Sequence, residues 1–120
     1  MRIYLAARYN RHPELQVYAK ELEKLGHIVT ASWIFGDQNT EALYGTFAQR
    51  DLQDLSQADC LISFTEMPEK TKSTGGRHVE FGFAVALGLR KMIVGYKENI
   101  FHHLPNIEFY ETWEETKRAL

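Results

Sequence analysis

One carboxylate stands near the start of an apolar helix that follows a glycine-rich loop. The loop contains Ser73, Thr74, Gly75 and Gly76, and Glu80 lies about one helical turn beyond it. Loops of this kind direct backbone N–H groups at an anion, and the helix dipole favours negative charge at the same place. An acid there can also serve only to stabilise the helix dipole. Its apolar neighbours favour a chemical role, and Glu80 is the first candidate for a nucleophile or a general base.

A second polar loop, between the first strand and the first helix, carries Arg8 and Arg11. Single loop arginines are usually solvated, but two of them opposite a Ser/Thr/Gly loop indicate an anionic ligand. Arg77, directly after the two glycines, belongs to the same set of candidate substrate contacts. The glycine-rich loop fits contact with a phosphate or a sugar, and a plain glycine-rich turn is the alternative. It is not a P-loop, because no Gly-Lys-Ser/Thr follows it.

The remaining titratable residues give weaker signals. Asp51 and Asp54 share a face of the preceding helix. A solvated charged face would explain both, and we favour that interpretation for Asp54. His102 and His103 are a poor metal motif, because adjacent side chains point in different directions and no third ligand has suitable spacing. The first strand-to-helix turn lacks the glycines of a dinucleotide-binding fold. Neither a metal nor a cofactor is therefore expected.

Apolar periodicity and turn residues divide the chain into alternating strands and helices. Strands are predicted over 2–6, 27–30, 60–64, 92–94 and 107–110, and helices over 13–26, 41–57, 77–89 and from Thr112 onward, where Thr112 and Glu115 form a capping box. In the second helix, Leu43, Phe47, Leu52 and Leu55 are expected to point inward. The pattern predicts an α/β fold: a flavodoxin-like or Rossmann-like five-stranded parallel sheet in the order 2-1-3-4-5, with helices on both faces.

In such a sheet, ligands bind outside the carboxyl ends of the strands at the switch point between the first and third strands. Both polar loops would meet there. Tyr4, Trp33 and Phe35 fall near the carboxyl ends of the first two strands. Core packing and stacking on a flat ligand such as a nucleobase explain these aromatic residues equally well.

Size and composition limit the remaining possibilities. The 120 residues are enough for one domain, spanning 1–120, and the net charge of −2 gives no reason to expect a nucleic-acid or membrane partner. Cys60 is the single cysteine, so a disulfide within the chain is impossible. No signal peptide or membrane-spanning stretch is evident, and a cytoplasmic location is expected.

In order and spacing, these residues resemble the nucleoside 2-deoxyribosyltransferase family, including its branch of deoxynucleoside 5′-monophosphate N-glycosidases. The resemblance covers nearly the whole chain and rests on residues 3–6, 50–52, 56–59 and 76–88. It implies an enzyme that cleaves the N-glycosidic bond of a 2′-deoxyribonucleoside or its 5′-monophosphate through a covalent glycosyl-enzyme. The deoxyribose then passes to another base or to water.

The resemblance also implies a role for individual residues. The glutamate matching Glu80 is the nucleophile in that family, and the aspartate matching Asp51 acts on the base or on the leaving-group proton. The tyrosine matching Tyr4 bonds the catalytic carboxylate. A homodimer or larger homo-oligomer is implied too, in which a residue after the fourth strand completes the neighbouring subunit's site. In this chain His102 and His103 are expected to do so.

A non-catalytic nucleotide-binding module of flavodoxin-like fold is the alternative, because a fold does not determine a function. A redox flavodoxin is disfavoured, since the first loop lacks a glycine or Ser/Thr cluster for a phosphate. Arg8 and Arg11 favour a 5′-monophosphate over a plain nucleoside, because charge-assisted hydrogen bonds from arginine would hold the phosphate. The base, and the choice between transfer and hydrolysis, stay open at this stage.

Overall fold

The computed structural model describes residues 1–36, 40–67 and 75–120. It confirms the predicted sheet, which is entirely parallel and has the order β2-β1-β3-β4-β5. The strands are β1 (Arg2–Ala6), β2 (Ile28–Val29), β3 (Cys60–Phe64), β4 (Arg90–Val94) and β5 (Ile107–Tyr110). The helices are α1 (His12–Lys24), α2 (Tyr44–Ser56), α3 (Gly76–Leu87) and α4 (Trp113–Arg118).

The strand register determines which helices share a face of the sheet. Tyr4 of β1 lies beside Leu61 of β3, so both side chains point to the same face, and the face of Tyr4 carries α3. Phe64 is three residues beyond Leu61 and therefore points the other way. It packs there against Tyr18 of α1 and Trp113 of α4, with ring centroids 5.5 and 5.6 Å away. Helices thus cover both faces.

Helix ends follow the capping rules that the sequence indicated. The N–H of Glu115 donates to the hydroxyl of Thr112 at the start of α4, as half of the expected capping box. Gly26, just beyond α1, has a φ of +94°, which favours glycine. No helix within the described residues has the length and apolar character needed to cross a membrane.

The second helix differs from its prediction. The segment predicted over 41–57 begins with a 3₁₀ turn (Glu41–Leu43) before α2. Of the four residues expected to point inward, only Leu55 is fully buried, and Leu43 is 47% exposed. The main contacts of α2 are with α3 and with the 3₁₀ turn Ser32–Phe35, rather than with the strands. Full burial is therefore limited to the C-terminal end of α2, where Leu55 lies, while its first turns stay exposed.

Candidate active site

Tyr4 and Glu80, 76 residues apart in the sequence, meet between β1 and α3. Tyr4 is fully buried, and its hydroxyl donates a hydrogen bond to Oε2 of Glu80. Asp51 of α2 contributes the second carboxylate, which lies near enough to raise the pKa of both Glu80 and Tyr4. The structure therefore brings together the three residues that the family resemblance placed in a catalytic site.

Burial determines the electrostatics of this cluster. Loss of solvation raises the pKa of Glu80 to about 8, and the charge of Asp51 adds to the effect, while the hydrogen bond from Tyr4 acts in the opposite direction. The pKa of Tyr4 is also raised, chiefly by burial and then by the charge of Glu80. Tyr4 therefore stays a neutral donor. A carboxyl group that titrates near neutral pH beside a second acid suits acid–base or nucleophilic chemistry.

The start of α3 has the backbone of an anion-binding turn. Gly75 precedes the helix with a φ of +92°, and Gly76 is the first helical residue. A Cβ added at either position would meet nothing within 4 Å. The first N–H groups of a helix have no intrahelical acceptor, so this terminus has the arrangement at which phosphates and carboxylates bind. Ser73 and Thr74, also predicted to contact substrate, lie outside the described residues.

The two loop arginines differ in their surroundings. Arg11 donates from Nε and Nη2 to the carboxylate of Glu14, at 2.8 and 3.0 Å, and lies 3.6 Å from the carboxylate of Glu66. Its charge is therefore largely compensated. Arg8 is partly exposed and makes no side-chain hydrogen bond or ion pair to any described residue. Of the two, Arg8 is the cation that a phosphate could neutralise.

Arg77, predicted as a substrate contact, turns into the protein and is 2% exposed, where it pairs with Glu98. His102 is also 2% exposed, and its ring packs edge-on against Phe81 of its own chain, with centroids 4.9 Å apart. His103 is exposed. The side chain available to a neighbouring subunit is therefore that of His103, whereas Arg77 and His102 form part of the support behind α3.

The aromatic residues near the first two strands divide between core and surface. Trp33 is 4% exposed and donates from Nε1 to the carbonyl of Leu5, so it belongs to the core beneath the end of β1. Phe35 is 56% exposed and is free to contact a flat ligand. Asp54 accepts hydrogen bonds from the N–H and hydroxyl of Ser32, which gives it a structural role beyond the solvated face predicted for it.

Sequence reasoning missed two residues beside the site. Arg50 donates from Nη2 to Oδ1 of Asp51 at 3.2 Å, and its guanidinium lies over the ring of Phe47. Glu98, in the segment after β4, holds Arg77. An arginine next to a candidate acid was a usable signal for Arg50. Glu98 had none, because its partner lies 21 residues away and no local spacing connects the two.

No protein-family model and no curated protein sequence matches this chain. Two solved structures match its fold over nearly the full length. The 2-deoxyribosyltransferase of the psychrotolerant bacterium Bacillus psychrosaccharolyticus has a TM-score of 0.76 and 18% identity, covering 98% of this chain and 90% of that one. The CMP N-glycosidase BcmB of Clostridium botulinum has a TM-score of 0.64 and 20% identity, covering 99% and 97%. The resemblance seen in the sequence thus extends to the fold of the whole chain.

The raised pKa of Glu80 predicts how Glu80→Gln changes stability with pH. The folded pKa of about 8 exceeds the ordinary value of 4.5, so the folded state keeps a proton that the unfolded chain releases between these values. The free energy of unfolding of the wild type should therefore fall as pH rises from about 4.5 to 8. Glu80→Gln cannot ionise and so does not show this fall. The difference between its free energy of unfolding and that of the wild type should therefore shift in favour of Glu80→Gln as pH rises across the same range.

Urea denaturation at pH 5 and at pH 8.5 measures the effect. Glu23→Gln, which alters an exposed carboxylate of α1, is the matched control and should show no such trend. A difference between Glu80→Gln and wild type that stays constant with pH would contradict the burial of an ionisable Glu80.

Proposed function

We propose that this protein cleaves the N-glycosidic bond of a 2′-deoxyribonucleoside or its 5′-monophosphate through a covalent intermediate on Glu80. The observation that carries the proposal is the cluster of Glu80, Tyr4 and Asp51 at the switch point of the sheet. Two of the solved structures that match this fold are named a 2-deoxyribosyltransferase and a CMP N-glycosidase. At 18% and 20% identity, these two enzymes support the proposal through their shared fold.

In the first step, a carboxylate oxygen of Glu80 attacks C1′ of the sugar while the bond from C1′ to the base nitrogen breaks. The bonding electron pair goes to the base. The two acids share one proton, which lies on Asp51 when Glu80 is ionised for attack, and Asp51 donates it to neutralise the base. The departing base leaves oxocarbenium character at C1′, which the nearby carboxylate captures as a glycosyl ester.

In the second step, water or the nitrogen of another base attacks C1′. The ester bond breaks, its electron pair returns to the Glu80 carboxylate, and the attacking group gives its proton to Asp51. Tyr4 holds Oε2 of Glu80 throughout, so that the carboxylate keeps one orientation. Two displacements at the same carbon retain the configuration of the sugar.

A 5′-monophosphate is the substrate form that the surrounding charges favour. Arg8 is a cation with no side-chain partner among the described residues, and the glycine-rich start of α3 offers backbone N–H groups. A phosphate between them would gain charge-assisted hydrogen bonds that a free 5′-hydroxyl would not. We therefore favour the monophosphate over the nucleoside.

We also propose that the active form is a homodimer or larger homo-oligomer. One flank of α3 and the 3₁₀ turn Ile100–His103 border an open cavity of about 570 Å³, lined by His78, Val79, Phe81, Gly82, Val85, Asn99 and Phe101. Ile100 and Phe101 are 78% and 58% exposed beside it. A protruding apolar turn next to an apolar groove is self-complementary, as a two-fold contact between copies requires. His103, in the same turn, would then lie near the neighbour.

The nucleophile and the acid can be tested separately. Glu80→Ala should abolish release of free base from a panel of deoxynucleosides and deoxynucleotides, because no carboxylate remains to capture C1′. Asp51→Asn should slow poor leaving groups by about 10²–10⁴-fold, the usual contribution of a proton donor, and activated ones far less.

Asp54→Asn, in the same helix, keeps its acceptor oxygen for Ser32 and is the matched control with near wild-type rates. Circular dichroism checks that each variant is folded. Full activity of folded Glu80→Ala would refute the assignment of the nucleophile. Binding of nucleotide without release of base by the wild type would support a binding module instead.

The phosphate proposal predicts a selective effect of Arg8→Ala. Catalytic efficiency on the 5′-monophosphate should fall at least about tenfold, equivalent to 1.4 kcal/mol, while efficiency on the nucleoside stays nearly constant. Arg11→Ala should discriminate less, because Glu14 and Glu66 already compensate the charge of Arg11. Steady-state kinetics on both substrates measures this. Equal losses on the two substrates from Arg8→Ala would favour the nucleoside.

The oligomer proposal predicts that Gly82→Arg or Phe101→Glu weakens self-association at least about tenfold in the dissociation constant. A side chain at Gly82 meets open space within its own chain, so it should obstruct only a partner. Sedimentation velocity measures the assembly. Val17→Glu, at a 57% exposed valine of α1, is the control and should leave it intact. A wild type that is monomeric at working concentration would overturn the proposal.

A further inference from the structure

A buried ion pair joins the first turn of α3 to the segment after β4. Arg77 donates from Nη2 to Oε1 of Glu98 at 2.5 Å and from Nε to Oε2 at 3.2 Å. The two side chains are 1% and 4% exposed. Two nearly parallel hydrogen bonds between a planar guanidinium and a carboxylate fix both position and orientation.

One histidine holds the backbone of the acidic partner, and a second lies near its carboxylate. His102 accepts the backbone N–H of Glu98 on Nδ1 at 2.9 Å, and its burial lowers its pKa to about 4. It therefore remains a neutral acceptor at neutral pH. His78 places Nε2 3.6 Å from Oε2 of Glu98. Glu98 is thus held at its backbone N–H by His102, independently of its ion pair with Arg77, so it can anchor Arg77.

The backbone at the start of α3 needs such an anchor. Gly75 and Gly76 carry no side chain that could pack against the protein, and a Cβ at either would lie more than 4 Å from the part of the chain that the structure describes. Arg77 is therefore the first side chain of the helix that attaches it to the protein. Glu80 follows one turn later, so any tilt or shift of this first turn displaces its carboxylate from Tyr4.

We propose that Glu98 is a positioning residue for Glu80: through Arg77 it holds the first turn of α3 where the Glu80 carboxylate meets Tyr4 and the substrate. The role of Glu80 rests on the proposed glycosidase function, but its position does not. Tyr4 lies on β1 and Glu98 follows β4, and these strands flank β3. The start of the helix is therefore held by directional bonds from both sides of the central strand.

The test replaces the pair by apolar side chains in Arg77→Met/Glu98→Leu. Such replacements of a buried ion pair are often neutral for stability, whereas removal of one partner leaves an uncompensated buried charge. The protein should therefore fold, while the first turn of α3 loses its hydrogen bonds to residue 98. Glu98→Gln, which keeps the shape of the side chain, is the second variant if the double one does not fold.

The matched control is Arg90→Met/Glu108→Leu. Arg90 and Glu108 also form two hydrogen bonds, at 2.6 and 2.8 Å, but Arg90 begins β4, at the opposite end of the sheet from the site. Loss of this pair removes equivalent bonds without touching α3. A change in the titration of Glu80 that follows from the loss of any such pair of hydrogen bonds should therefore appear in this control as well.

The first readout is the titration of the Glu80 carboxyl carbon by NMR with ¹³C-labelled glutamate, assigned by its disappearance in Glu80→Gln. It requires no activity. The midpoint should move from about 8 in the wild type towards the ordinary value of 4.5, since a displaced carboxylate gains solvent. A shift of at least about one pH unit is expected for Arg77→Met/Glu98→Leu, and none for the control.

The second readout is base release. In the folded variant kcat on the nucleoside should fall at least about tenfold while its KM changes by less than about threefold, because the nucleoside has no phosphate to contact the displaced turn and only the geometry of attack is lost. An unchanged Glu80 titration in a folded variant would overturn the positioning role. Absence of base release by the wild type would refute the proposed function instead, while the titration would still decide on Glu98.

Discussion

The structure of the site depends on the hydrogen bond from Tyr4 to Glu80. A carboxylate removed from water loses far more solvation than most contacts return, so its ionised form exists only where a donor meets it. Tyr4 is the donor that the sheet supplies, from a fully buried position on β1. Because burial still outweighs this bond, the pKa of Glu80 settles at about 8. The group can therefore be protonated at rest and ionised when it reacts.

The sheet order explains how this bond forms between residues 76 positions apart. β1 and β3 are neighbours, and the chain leaving β3 returns as α3 over the same face to which Tyr4 points. A right-handed crossover on a parallel sheet requires this placement. The start of α3 then lies at the carboxyl ends of the strands, one turn before the partly buried carboxyl group of Glu80.

The parts of this arrangement that the sequence predicted are those that local spacing encodes. Alternation of strands and helices predicted the sheet order, and a glycine loop before an acid predicted the place of Glu80. The spacing of residues along the sequence does not show which distant residue a charged side chain pairs with. Arg77 and Arg11 read alike as loop cations, yet one is buried against Glu98 and the other is compensated by Glu14. Periodicity likewise assigned Leu43 to the core without showing that α2 contacts mainly α3 and the 3₁₀ turn Ser32–Phe35 rather than the strands.

The glycines and the buried polar pairs at the start of α3 have complementary roles. Gly75, with a positive φ, permits the turn that begins the helix, but neither Gly75 nor Gly76 supplies side-chain packing that would fix the terminus. Apolar contacts are tolerant of small shifts, whereas hydrogen bonds weaken steeply with distance and angle. Holding this terminus through Tyr4–Glu80 on one side and Arg77–Glu98 on the other therefore restores the precision that the glycines remove. The first turn of α3 can therefore face the substrate and still hold the Glu80 carboxylate in one position.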